Sequence, residues 1–185
     1  MKRTLIALSG LLTLAVLSGC GGGGGGGEGG NSNVVVQPTS AVLTLSTVVT
    51  GTIPSTTTIN SYDVTVTLPP GVTIKASPDS VNPSVLTADP GVVIATGSAS
   101  VASLSAVYTA ANGATPGTVK VHVASGTGIS AGEFCTIHAD VAIGSYPAAA
   151  DFPAPALDEA TGIDFTVSTV TLTSELSLTA NVVVQ

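Results

Sequence analysis

The stretch TVKVHVASGTGISAGEFCTIHADVAI, residues 118–143, decides the fold class of this chain. Val119, Val121 and Val123 alternate with Lys120 and His122, and Cys135, Ile137, Ala139 and Val141 alternate with Thr136, His138 and Asp140. Apolar residues at every second position put one face of an extended chain against a core and the other toward water. The link SGTGISAG, residues 125–132, holds three glycines and no apolar block, which predicts a hairpin between the two runs. Setting Val123 opposite Glu133 places His122 opposite Phe134 and His138 opposite Thr118. Both histidines then read as surface residues, too far apart along the sheet to share a zinc ion.

The same period recurs on either side. In INSYDVTVTLPPGVTI, 59–74, Tyr62, Val64, Val66 and Leu68 share one face, and Asp63, Thr65 and Thr67 the other. Pro69-Pro70-Gly71 stops that strand, because proline lacks a ladder donor and glycine permits the turn. AVLTLSTVVT (41–50), VVIATG (92–97), SASVASLSAVYTA (98–110), IDFTVSTVTL (163–172) and LSLTANVVV (176–184) are further strand candidates. In 163–172 the apolar parity changes between Val167 and Val170, which predicts a bulge. SPDSVNPSVLTADPG (77–91) reads as a turn-rich connection, and GSYPAAADFPAPALDEATG (144–162) as a long loop with three prolines. No run of ten or more residues carries a helical period. About seven to ten strands separated by turn signals predict an all-β, antiparallel β-sandwich over residues 34–185.

The opposite end of the chain has another character. Met1-Lys2-Arg3 precedes an apolar run from Thr4 to Leu17, then small residues and Cys20. A basic start, a short apolar run and small residues form a secretory signal pattern, and the run is shorter than the roughly 20 residues of a spanning helix. Residues 1–19 are therefore expected to be a signal peptide. From Gly21 to Asn33 there is one charge, Glu28, and no apolar side chain. Such a coil spans on the order of 20 Å root-mean-square and keeps its conformational freedom, so 20–33 reads as a flexible tether.

Charge excludes two partner classes. The formal net charge is −7, with four basic and 11 acidic residues. Lys2 and Arg3 leave with the leader, which takes the mature charge to −9 and leaves only Lys75 and Lys120 as cations. Binding to nucleic acid needs clustered Lys and Arg to neutralise phosphate, so no nucleic-acid partner is expected. Electrostatic docking on anionic lipid is excluded on the same ground. Of the two cysteines, Cys135 alternates with aliphatic residues and reads as a small buried hydrophobe. No Gly-x-Ser-x-Gly, phosphate loop or paired catalytic carboxylates is present, so no catalytic residue is assigned.

Leu17-Ser18-Gly19-Cys20 resembles the lipobox of bacterial lipoprotein precursors. The resemblance implies cleavage before Cys20, a diacylglycerol thioether on its sulfur and an acylated amine (palmitate being typical), and so a membrane partner through lipid. Two or more chains make such an anchor stable. Gly21 stands where an Asp would imply inner-membrane retention, so the resemblance implies export to the outer membrane or cell surface. SYDVTVTLPPGVTI, the 118–152 region with its Gly144-Ser145-Tyr146-Pro147 turn, and LDEATGIDFTV (157–167) resemble cohesin domains. That resemblance spans roughly 39–185. It implies a nine-stranded jelly-roll-like sandwich and non-catalytic docking to an unidentified protein, or adhesion.

Two binding alternatives complete the expectations. Asp151, Asp158, Glu159 and Asp164 gather around the 144–162 loop and are calcium candidates, since calcium takes six to eight oxygen ligands, although their spacing matches no EF-hand. Otherwise no cofactor is expected. A polysaccharide-binding module is the alternative function, with Tyr108, Tyr146 and Phe152 as candidate aromatic contacts; Tyr62 and Phe134 read as core.

Overall fold

The computed structural model describes residues 36–164, 166 and 168–185. The expected signal peptide, Cys20, the tether and the parity change at Val167 lie outside the described residues. Among the described residues there is no α-helix, and no helix is long and apolar enough to cross a membrane.

Twelve strands form two antiparallel sheets: β1 Ser40–Val49, β2 Thr58–Leu68, β3 Val72–Thr73, β4 Ala76–Pro78, β5 Leu86–Ala88, β6 Val93–Ala95, β7 Ser103–Thr109, β8 Gly117–Ile129, β9 Gly132–Val141, β10 Ala156–Ile163, β11 Thr169–Thr171 and β12 Leu176–Val184. One sheet has five strands in the order β12-β1-β9-β3, with β6 also on β9; the other has seven, in the order β11-β10-β2-β8-β7-β5-β4. Their inner faces share one core, which includes Leu43, Leu45 and Ile137 from the first sheet and Tyr62, Val64, Val66, Val119, Val121 and Val123 from the second. The architecture is all-β and sandwich-like.

The expected hairpin between residues 118–124 and 133–143 does not form. β8 pairs with β2 and β7, whereas β9 pairs with β1, β3 and β6. The chain crosses from one sheet to the other through Ser130 and Ala131. The valines of β8 and the apolar row of β9 therefore face each other across the core, not side by side. A hairpin and a crossover carry the same period-two signature, so alternation could not separate them. The assumed opposition of His122 and Phe134 falls with the hairpin, and the two histidines belong to different sheets.

Other boundaries differ as well. The expected loop 144–162 ends at Pro155, because Ala156–Ile163 pairs with β2 as β10. IDFTVSTVTL is not one strand: β10 ends at Ile163 and β11 spans only Thr169–Thr171. The connection at 77–91 contains the small β4–β5 pair.

Two bulges carry consequences. β1 shifts register between Leu45 and Ser46, opposite Cys135 and Glu133, so that Phe134 is the extra residue. The bulge turns Phe134 inward as well as Cys135, and both are fully buried. The Phe134 ring lies 4.8 Å from that of Tyr62, tilted at 42°, joining the two sheets. Nearby, the Tyr62 hydroxyl and the buried Thr47 hydroxyl are 3.2 Å apart, a polar tie between β2 and β1. Burial raises the Tyr62 pKa, partly offset by Thr47. On β10 the extra residue is Asp158, between Leu157 and Glu159.

Candidate functional site

A sheet edge exposes a row of backbone donors and acceptors, and natural proteins guard it with short strands, proline, charge or bulges. Four ends or stretches are guarded in this way. β3, β4, β6 and β11 are two or three residues long, and β4 includes Pro78. β10 is longer, but its bulge aims Asp158 and Glu159 outward. Its inner end is covered where Leu172 N–H donates to Ala160 C=O at 2.7 Å and Ala160 N–H donates to the Thr173 hydroxyl at 2.9 Å.

Among the described residues, β12 has none of these guards. It ends the five-stranded sheet with nine residues, LSLTANVVV, containing no charge and no proline. Gln185 and Ser40 exchange N–H···O=C bonds of 2.9 and 3.1 Å. Antiparallel ladders alternate, and the β1–β12 register runs without a shift, so Val183, Asn181, Thr179 and Ser177 also bond toward β1. The N–H and C=O groups of Leu178, Ala180, Val182 and Val184 therefore point away from the sheet.

An apolar hollow of about 330 Å³ lies along the same strand. Leu43, Val66, Phe152, Pro155, Leu178 and Val182 line it, so residues of both sheets and of the proline loop contribute. The side chains of Leu178, Ala180, Val182 and Val184 are only half-buried, and among the described residues no strand extends the sheet beyond them. The arrangement offers hydrogen bonds to an extended backbone and an apolar recess for its alternate side chains.

No family model, curated protein or solved structure matches this chain. Its function is therefore argued from its own geometry.

The other distinctive surface is the outer face of the seven-stranded sheet. Asp63 on β2, His122 on β8 and Ser105 on β7 are successive cross-strand neighbours. Asp63 Oδ1 lies 2.8 Å from His122 Nδ1, with the two side chains 42% and 49% exposed. Asp63, Ser105, Lys120, His122 and Asp158 line a shallow depression of about 310 Å³. Thr65 Oγ1 donates to Asp158 Oδ2 at 2.5 Å. The carboxylate orients the imidazole, but Ser105 makes no hydrogen bond to it. Sequence reading assigned Asp63 and His122 to outward faces without pairing them; their register across β2 and β8 supplies the missing information.

The structure disperses the four calcium candidates. Asp151 accepts from Ala148 N–H at 2.7 Å in the proline loop, and Asp158 is held by Thr65. Glu159 is exposed beside the β10 bulge. Asp164 accepts from the Thr166 hydroxyl at 2.7 Å and from the Thr166 and Ser168 N–H groups at 2.9 and 3.0 Å. Chiefly the Thr166 hydroxyl, then the Ser168 N–H, lowers the Asp164 pKa. Among the described residues, no three His, Cys, Asp or Glu side chains converge as a metal group.

Of the aromatic candidates, Tyr108 and Phe152 are buried and cannot form a sugar platform as they stand. Tyr146 is 56% exposed and borders a hollow with Pro69, Pro70 and Asp151. Cys135 is buried, as the alternation predicted, and desolvation pushes its thiol pKa up to about 12.

Proposed function

We propose that this protein is a lipid-anchored component of the cell envelope whose β-sandwich, of the cohesin-like, jelly-roll kind, docks other proteins without catalysing a reaction. In this reading Cys20 carries the lipid, residues 21–33 hold the domain above the outer membrane, and the domain captures an extended segment of a partner. The single observation that supports docking is the bare β12 edge beside an apolar hollow. Strand addition uses these two features together: backbone bonds give affinity, and recesses for alternate side chains give selectivity.

Two measurements test the reading. Mass spectrometry of the native protein is expected to find acyl chains on Cys20, and an unmodified thiol there ends the anchor. A fluorescent peptide with the sequence of residues 176–185 is expected to bind the mature chain and lose binding in Ala180→Pro, which deletes an outward N–H. Absence of binding ends the docking site.

Polysaccharide binding is the second reading, favoured by exposed Tyr146 over the Pro69-Pro70 hollow. Binding on a glycan array that disappears in Tyr146→Ala supports it, and an array without signal removes it.

A further inference from the structure

We infer that the β12 edge docks a second copy of this chain, joining two five-stranded sheets into one continuous sheet about a two-fold axis. The inference rests on the docking reading above and names its occupant.

Antiparallel pairing makes a strand edge self-complementary. Leu178, Ala180, Val182 and Val184 direct their backbone groups outward, and each brings one donor and one acceptor. One register matches all four residues with the same four of a second copy: Leu178 opposite Val184, Ala180 opposite Val182, and Asn181 opposite Asn181. Opposed residues in an antiparallel pair point to the same face. The half-buried inner row of each copy then continues across the junction, and the two apolar hollows meet on one side.

Charge singles out this surface for a self-contact. The protein is strongly acidic, so two copies repel each other at most orientations. The other long exposed stretch, on β10, presents Asp158 and Glu159 and would set carboxylates against carboxylates. β12 carries no charge over nine residues. An edge of nine residues extends only about 30 Å, which gives a weak, reversible contact in dilute solution. Copies held on one membrane meet at an effective concentration on the order of millimolar, where such a contact is populated.

The test is sedimentation equilibrium of the mature chain in detergent, up to about 1 mM in the micellar phase. The weight-average mass of the protein is expected to rise toward twice that of the monomer. Asn181 is exposed, so charge there leaves the fold intact. Asn181→Lys and Asn181→Asp each place like charges opposite one another and are expected to remain monomeric. An equal mixture of the two is expected to recover the doubled mass. Ala180→Pro, with its β1 bonds retained, is expected to stay monomeric as well. Doubling by Asn181→Lys alone, or a mixture that stays monomeric, overturns the two-fold pairing. If the 176–185 peptide binds while the chain stays monomeric, self-docking fails and the docking of other proteins stands. If neither occurs, both fail.

Discussion

β10 and β12 face the same side of the molecule from different sheets, and they handle exposure in opposite ways. β10 carries an extra residue, two outward carboxylates, and a covering turn that satisfies Ala160. β12 is longer, regular and neutral, and among the described residues only β1 pairs with it. The difference shows that this sequence has the means to guard an edge and applies them selectively. This contrast between a guarded and an unguarded edge is what the docking proposal rests on.

The comparison breaks most completely when the two sheets separate. Phe134→Ala removes the ring that stacks on Tyr62 and leaves a buried cavity between the strands. We expect a loss of about 3–5 kcal/mol in urea unfolding, with both edges melting together. A loss below about 1 kcal/mol would mean that the sheets are held elsewhere.

A subtler change attacks the contrast itself. Asp158→Ser combined with Glu159→Ser strips β10 of its charges and makes its edge resemble that of β12. We expect increased self-association by light scattering, beyond that of the parent chain at equal concentration. Unchanged scattering would show that the bulge alone guards β10.

Thr47→Val tests the polar tie across the core. It removes the hydroxyl shared with Tyr62 and, at 3.4 Å, with Gly132 N–H. We expect destabilisation of about 1 kcal/mol by thermal or urea unfolding.

Cys135 reports whether the sheet bearing β12 opens. Its thiol is expected to resist a disulfide reagent at pH 8 and to react once urea unfolds the chain. Burial raises its pKa from 9.0 to about 12. The folded protein therefore keeps a proton that the unfolded chain loses first. This contribution to stability is complete below pH 9 and declines as pH rises toward 12. Cys135→Ala should flatten that decline in urea titrations at alkaline pH.

The smallest effect is expected at the guarded sheet's outer face. His122→Ala breaks the pair with Asp63, but both groups are half-exposed, so unfolding should shift by no more than about 1 kcal/mol. A larger loss would mark that polar row as a structural element in its own right.

Much of the local structure was legible from residue spacing. Tyr62, Val64, Val66 and Leu68 lie inside where alternation put them, and so do Val119, Val121, Val123, Ile137 and Cys135. Pro69-Pro70-Gly71 ends β2 as expected, with Gly71 at φ 79°. The start of β10 is hidden in the sequence because ALDEATGI lacks clean alternation; its bulge at Asp158 breaks the period that marks a strand. The exposed β12 edge was invisible for a different reason. LSLTANVVV reads as a strand in any position, and whether it lies at the centre or the margin of a sheet is not encoded in its own nine residues.

The sequence by itself determined an all-β body, its inward and outward faces, its acidic and cation-poor surface, and the positions of the long strands β1, β2, β9 and β12. Those properties depend on near neighbours along the chain, through a two-residue period and the backbone limits of proline and glycine. Only the tertiary structure decided that β8 and β9 separate into facing sheets, that β9 bulges at Phe134 against β1, that Asp63 meets His122, and that β12 is left at an edge. Each of these is a choice of partner between distant segments. Backbone hydrogen bonds are alike for every strand, so the choice is made by the packing of the whole core.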